Sequence, residues 1–145
     1  MTATAQQLVN RARARVPALT PVEVEAHLLA RDAVVVDIRE PEELDEHGRL
    51  PDALHVPRGL LEFGADPASP QHRPELDPAR LTIVYCAAGN RSALAAETLQ
   101  FLGYREVAHL DGGIAAWKRA GLPVVGLAPW HRPVRATGWA PAAVS

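Results

Sequence analysis

Cys86 is the one cysteine of this 145-residue chain, and the residues around it suit a nucleophile. The run LTIVY (81–85) is apolar and β-branched, so it reads as a buried strand that ends at the cysteine. Ala87, Ala88, Gly89 and Asn90 follow, then Arg91 and Ser92, and then a helical pattern. The thiol is therefore expected at the carboxyl end of a strand, in a tight loop that opens onto a helix N-terminus. Free N–H groups gather there and favour negative charge. A free thiol is only about 3% ionised at neutral pH. Making thiolate the major form takes about 2.7 kcal/mol of preferential interaction with the anion. A helix terminus and a guanidinium can supply that, and the chemistry that follows is attack by sulfur on an electrophile. A lone cysteine is otherwise often a small buried hydrophobe. Its place at a strand end, the compact glycine-containing loop and Arg91 five positions on favour the reactive reading.

An apolar fraction of 48% in a chain this long supports one domain with a real core. A single cysteine excludes an intramolecular disulfide and any CxxC metal or redox motif. The six histidines form no ligand-spaced cluster, so neither a metal nor a cofactor is expected. The net charge of −2 gives no basic footprint for nucleic acid. No apolar run reaches membrane-spanning length and no secretory h-region is present, so no membrane partner is expected and a cytoplasmic location is. Residues 1–16 carry Arg11, Arg13 and Arg15 without an acidic residue. That composition overlaps with transit peptides, but Leu8, Ala12 and Val16 recur at helical spacing, which suits a helix packed on the domain.

The elements that must position the cysteine follow in order. Thr20, Pro21 and Glu23 form a capping box with proline at the first helical position, predicting a helix over 21–30. AVVVDI (33–38) predicts a buried strand ending near Asp37. Pro41, Glu42 and Glu43 start a short acidic helix, whose charges read as a solvated face. A short strand over 53–56, a helical turn over 60–63 and a long polar, proline-rich loop over 64–80 precede the cysteine strand. A helix over 92–102, with Asn90 or Ser92 as its cap, precedes a strand over 106–110. Asp111, Gly112 and Gly113 then turn into a helix carrying Trp117. Asp111 reads as a turn residue, Trp117 as core, and His55 and His109 as packed in or beside strands. The segment 126–145, with Trp130 and Trp139, is expected to be irregular and to pack on the domain. Alternating strands and helices indicate an α/β domain with a parallel sheet. Asp37, Cys86 and Asp111 fall near carboxyl ends of strands, where ligands of such sheets bind.

Four segments in this order, VVVDIREPEE (34–43), ALHVPRG (53–59), VYCAAGNRSALAA (84–96) and LDGGIAAWKRAGLPV (110–124), resemble the rhodanese family of sulfurtransferases. The resemblance implies a three-layer α/β/α rhodanese-like domain, over 17–125, with a five-stranded parallel sheet. It maps Cys86 onto the catalytic cysteine. Ala87, Ala88, Gly89, Asn90 and Arg91 map onto the loop facing the persulfide, with Arg91 at the basic position. Ser92 continues that substrate-binding segment, and Asp37, Arg39 and Arg58 are candidates for a supporting layer. The family's usual Gly-His-Ile-Pro-Gly-Ala is here Gly48-Arg49-Leu50-Pro51-Asp52-Ala53, so Arg49 and Asp52 depart from it.

The implied activity moves a sulfane sulfur from thiosulfate, or a related persulfide donor, through a Cys86 persulfide to a thiol or cyanide. Small molecules serve as donor and acceptor, and a protein acceptor is a further option. Two alternatives stand beside it. One is a persulfide relay or regulatory rhodanese-like module with a dedicated protein partner. The other is an enzyme like the dual-specificity phosphatases or arsenate reductases, which place five residues between cysteine and arginine, where this chain has four.

Overall fold

The computed structural model describes residues 2–126. The expectation for 126–145 concerns segments that, from residue 127 on, lie outside the described residues. Helix α1 (Ala5–Arg15) leads into strand β1 (Ala18–Leu19), followed by α2 (Pro21–Ala30), β2 (Val34–Asp37), α3 (Pro41–His47) and β3 (Leu54–His55). A 3-10 turn (Arg58–Leu60) and α4 (Leu61–Ala65) come next, then β4 (Thr82–Tyr85), α5 (Asn90–Phe101), β5 (Val107–Leu110) and α6 (Gly113–Arg119). All four strand pairings are parallel, in the order β1-β5-β4-β2-β3. None of the described helices is long and apolar enough to cross a membrane.

Side-chain alternation divides the sheet into two faces. Val36, Val84 and Cys86 face Val16, Leu61, Ala95, Ala96 and Leu99 in one core layer. Val35, Ile83 and Tyr85 face Val24, Ile114 and Trp117 in the other. Helices α1, α4 and α5 thus cover one face and α2 and α6 the other, with β4 buried in the middle. The capping box of α2 is made as expected, with the Thr20 hydroxyl accepting from the Glu23 amide at 3.2 Å and the Glu23 carboxylate from the Thr20 amide at 2.9 Å.

Three local expectations are corrected. Strand β1 was not anticipated, because two residues between a proline and a helix cap carry no periodicity of their own. It exists through pairing with β5, Ala18 opposite His109 and Leu19 opposite Leu110. In α1 the buried face is Val9 and Ala12, joined by Val16 just past the helix, while Leu8 is 39% exposed. Helix α5 starts at Asn90 rather than 92, and neither Asn90 nor Ser92 caps it; the cap is Gly89, at φ 107°.

The departure from the family pattern has a backbone consequence. Asp52 takes φ 60°, the left-handed region that glycine enters freely and that a short carboxylate side chain tolerates. The segment is tied down on both sides. Arg49 and Val125 exchange backbone hydrogen bonds of 2.8 and 2.9 Å, and the Leu50 amide donates to the Tyr85 hydroxyl at 3.1 Å.

Candidate active site

Strand β4 ends at Tyr85, and the next residue, Cys86, begins a turn whose carbonyls are claimed by another element. The Cys86 carbonyl accepts from the Ile114 amide at 3.0 Å and the Ala87 carbonyl from the Ala115 amide at 3.1 Å. The first turn of α6 therefore draws these two oxygens away from the loop interior. The loop's amides are left free to turn inward. Gly89 and Ser92 donate backbone N–H bonds to the Cys86 sulfur at 3.1 and 3.3 Å. The sulfur sits at the N-terminus of α5, where two aligned amides and the helix dipole favour an anion. Cys86 is 1% exposed. It borders the hydrocarbon layer beneath α5, yet its polar atom faces donors.

Ser92 lies wholly inside this nest. Its hydroxyl oxygen is 3.5 Å from the Cys86 sulfur, 3.3 Å from the Gly89 carbonyl and 3.2 Å from Nδ1 of His109. His109 is buried on β5. Burial pushes its basicity below the ordinary histidine range; the positive charge of Arg13 acts in the same direction and Asp111 opposes it.

Arg91 points outward and is already partnered. Its two terminal nitrogens donate to both oxygens of Glu43, on α3, at 2.9 and 2.8 Å. That bond, ahead of the cost of partial burial, lowers the Glu43 carboxyl to about 2. It also raises Arg91 above its ordinary value, despite some desolvation, with smaller contributions from Cys86 and Asp37. The acidic face of α3, read from sequence as solvated, therefore includes the partner of the loop arginine. Asn90 accepts from Arg13, on α1, at 3.1 Å. Arg13 reaches the loop from outside the family-like segments, and nothing in its own neighbourhood in the sequence marks it.

The remaining candidates form a scaffold beside the loop. Arg39 donates to both carboxylate oxygens of Asp37 at 3.0 and 2.8 Å and to the Gly48 carbonyl at 2.6 Å. Asp37 also accepts from the Tyr85 hydroxyl at 2.5 Å. Burial and the neighbouring Asp37 raise Tyr85 well above its ordinary value, so its proton stays in place as a donor. Desolvation works against the Arg39 charge, but Asp37 more than offsets it. These bonds lock the end of β2 to the end of β4. Arg58 bonds Glu62 at 2.9 Å and Thr98 at 3.3 Å, which joins the start of α4 to α5. Ala87 contributes through its carbonyl, and Ala88 is exposed on the loop. Asp111 donates its amide to the Leu19 carbonyl at 2.8 Å and shapes the turn into α6. Among the described residues no group of three or more His, Cys, Asp or Glu could hold a metal ion.

Comparison with known proteins places this geometry in a family. The model of the rhodanese-like domain matches residues 20–120. A sulfurtransferase of Allochromatium vinosum is 40% identical over 94 residues, which cover 65% of this chain and 79% of that protein. A Synechocystis protein without an assigned function is 39% identical over 100 residues, and there the chain spans only 50% of the relative's length. Among solved structures, a Rhodopseudomonas palustris protein of unknown function, described as a possible tyrosine phosphatase, superposes with a TM-score of 0.82 at 38% identity, covering 86% of this chain and 96% of the other. The polysulfide-sulfur transferase homodimer of Wolinella succinogenes gives a TM-score of 0.68 at 30% identity, with coverages of 88% and 90%. A family match that starts at the capped entry to α2 and runs through the cysteine loop to the end of α6, over a parallel sheet of five strands, makes this chain a member of the rhodanese-like domain family.

Proposed function

We propose that the chain is a sulfurtransferase that takes a sulfane sulfur from thiosulfate or a related persulfide donor and passes it to a thiol or cyanide. The observation that carries this reading is the pair of amides on the Cys86 sulfur. They stabilise the thiolate that attacks the outer sulfur of the donor. In that step a bond forms between Cys86 and the outer sulfur, the donor's S–S bond breaks, and sulfite leaves with the electron pair. Cys86 is left as a persulfide anion. An acceptor nucleophile then attacks the terminal sulfur, and Cys86 departs as thiolate. With cyanide the product is thiocyanate, and the charge balances across the step.

The amides are preorganised, so they stabilise the anion without rearrangement. The charge of Arg91 is largely met by Glu43, while Arg13 meets the neutral Asn90 at the loop and, among the described residues, no carboxylate. Arg13 is therefore the stronger attractor for an anionic donor. Because Cys86 is 1% exposed, a donor reaches it only as groups around the loop move aside. The reaction needs a free thiol, which suits the reducing cytoplasm.

The phosphatase-like alternative is disfavoured by the loop itself. Four residues separate Cys86 from Arg91, and the next position is Ser92, whose side chain turns inward on the sulfur instead of reaching around an oxyanion.

Cys86→Ser tests the reading. It should abolish thiosulfate:cyanide transfer and the adduct of about +32 Da that one sulfur atom adds, with circular dichroism unchanged. Undiminished turnover would rule the mechanism out. Slow turnover with cyanide but fast transfer to one protein acceptor would assign the same persulfide to a relay.

A further inference from the structure

The hydroxyl proton of Ser92 has three neighbours and can satisfy only one at a time. The Gly89 carbonyl at 3.3 Å accepts only, and it already receives the Ala93 amide at 3.3 Å. The Cys86 sulfur, once ionised, also accepts only. The third neighbour, Nδ1 of His109 at 3.2 Å, decides the arrangement. A bare Nδ1 would leave three acceptors around one proton, so two contacts would set lone pair against lone pair in a dry site. An Nδ1–H takes one acceptor away and fixes an oxygen lone pair on the ring. This leaves the hydroxyl proton two choices, the Gly89 carbonyl that already accepts from Ala93 and the anionic sulfur, the stronger acceptor of the two. Ser92, His109 and Cys86 are all nearly or fully buried, so water does not relieve the competition. We propose that His109 is a positioning residue that holds its proton on Nδ1 and thereby aims the Ser92 hydroxyl at the Cys86 sulfur.

This rests on the sulfurtransferase reading for its consequence, though not for its geometry. In the thiolate the sulfur then receives three donors, the Gly89 and Ser92 amides and the Ser92 hydroxyl. In the persulfide the charge moves to the outer sulfur and the inner one becomes a poor acceptor. As the acceptor nucleophile takes the outer sulfur, the S–S electron pair returns to Cys86 and the Ser92 hydroxyl meets it there. A better-stabilised thiolate is a better leaving group. His109 thus acts on the second half of the cycle, through Ser92, without touching either substrate. The charged and titratable groups around it are Arg13 from α1, Asp111 at the end of β5, and Cys86; burial first, and then the charge of Arg13, disfavour the doubly protonated ring, and Asp111 opposes them.

The test follows thiolate absorbance at 240 nm against pH in the full chain, which needs no turnover. His109→Phe and Ser92→Ala should each raise the midpoint by about one pH unit, the size of one charge-assisted hydrogen bond. His109→Asn, which offers an amide N–H near the position of Nδ1, should restore most of it. The double variant S92A/H109F should shift no further than S92A alone. An unshifted H109F, or a double variant in which the shifts add, would overturn the proposal. Should H109F fail to fold, long-range 1H–15N correlation on the unaltered protein reads the tautomer directly, and a proton on Nε2 would overturn it equally. A midpoint that responds as stated in a protein that never gains a sulfur adduct would sink the sulfurtransferase reading and leave the His109 assignment standing.

Discussion

Glu43 decides what Arg91 contributes. A free guanidinium beside the loop would add a full positive charge to the sulfur's surroundings, whereas one clamped by a carboxylate contributes little beyond a dipole. Glu43→Gln should therefore lower KM for thiosulfate by freeing Arg91, at some cost in stability. The nominal stabilisation implied by a carboxyl lowered to about 2 must be discounted, because the Arg91 side chain is 41% exposed. A loss of about 1 kcal/mol at pH 7 is expected from urea unfolding. The sign with pH is fixed: a lowered carboxyl stabilises fully above the ordinary carboxylate range and loses that contribution as pH falls toward about 2. The gap between variant and parent should close as the solution is acidified through that window. A gap that persists near pH 2 would mean the pair is not its source. From the sequence, Cys86 was legible because its neighbours in the chain announce a strand end and a turn. Glu43 was not, since its partner lies 48 positions away. Ser92 and Asn90 looked like caps because serine and asparagine usually are; here a glycine in the left-handed region leaves their side chains for the sulfur and for Arg13.

Two helices make the nest, and only one of them supplies the amides. Helix α5 directs its first N–H groups at the sulfur, while α6 restrains the loop from behind through the Cys86 and Ala87 carbonyls. That contact depends on Gly113. A Cβ there would lie 2.5 Å from the Ala87 carbonyl carbon and oxygen and from the Cys86 carbonyl oxygen, all backbone atoms, and the residue holds φ 63°. Gly113→Ala must therefore push α6 off the loop. The expected loss is about 2 kcal/mol or more, from a strained left-handed residue together with two weakened hydrogen bonds. Transfer activity should fall further than stability alone accounts for, because the released carbonyls no longer hold the amides inward. Thermal melting and turnover measured on the same preparation check this, and a stable variant with full activity would refute the restraint. The Gly112-Gly113 pair was readable as a turn into a helix. That the turn also closes the cysteine loop was not, because it depends on β4 and β5 lying side by side. The long strands were legible from β-branched runs, and β1 was not, having only two residues and a partner 91 positions on.

At the scale of the whole molecule, α1 is the helix that lies outside the family match among the described residues, and a buried acid helps to bind it to the rest. Glu97, on α5, is 6% exposed and lies 3.2 Å from Arg11 and 3.6 Å from Arg15. Its Oε2 has no hydrogen bond, so the contact with Arg15 is electrostatic alone. The apolar part of the joint is small: Val9, Ala12 and Val16 are its buried side chains, and a buried valine contributes only about 1.5 kcal/mol. Both arginines are 54% exposed, so water screens each pair and about 1 kcal/mol in total is a fair measure of what Glu97 adds. The joint is thus weak enough for one charge to matter, and Arg13 rides on it. Glu97→Gln keeps the shape and removes the charge. Amides of α1 should then exchange with deuterium several-fold faster while those of β2 and β4 stay protected, as expected when one element opens locally. As α1 loosens, Arg13 leaves Asn90 and the loop loses that cation, so KM for thiosulfate should rise with kcat little changed. Added salt should narrow the difference between the two proteins, since it weakens the parent's ion pairs and has none to weaken in the variant. Unchanged exchange in α1 would show that the three small apolar residues, with the Arg13–Asn90 and Gln100–Arg15 hydrogen bonds, hold the helix without the acid, and Glu97 would then be a buried charge with no mechanical consequence.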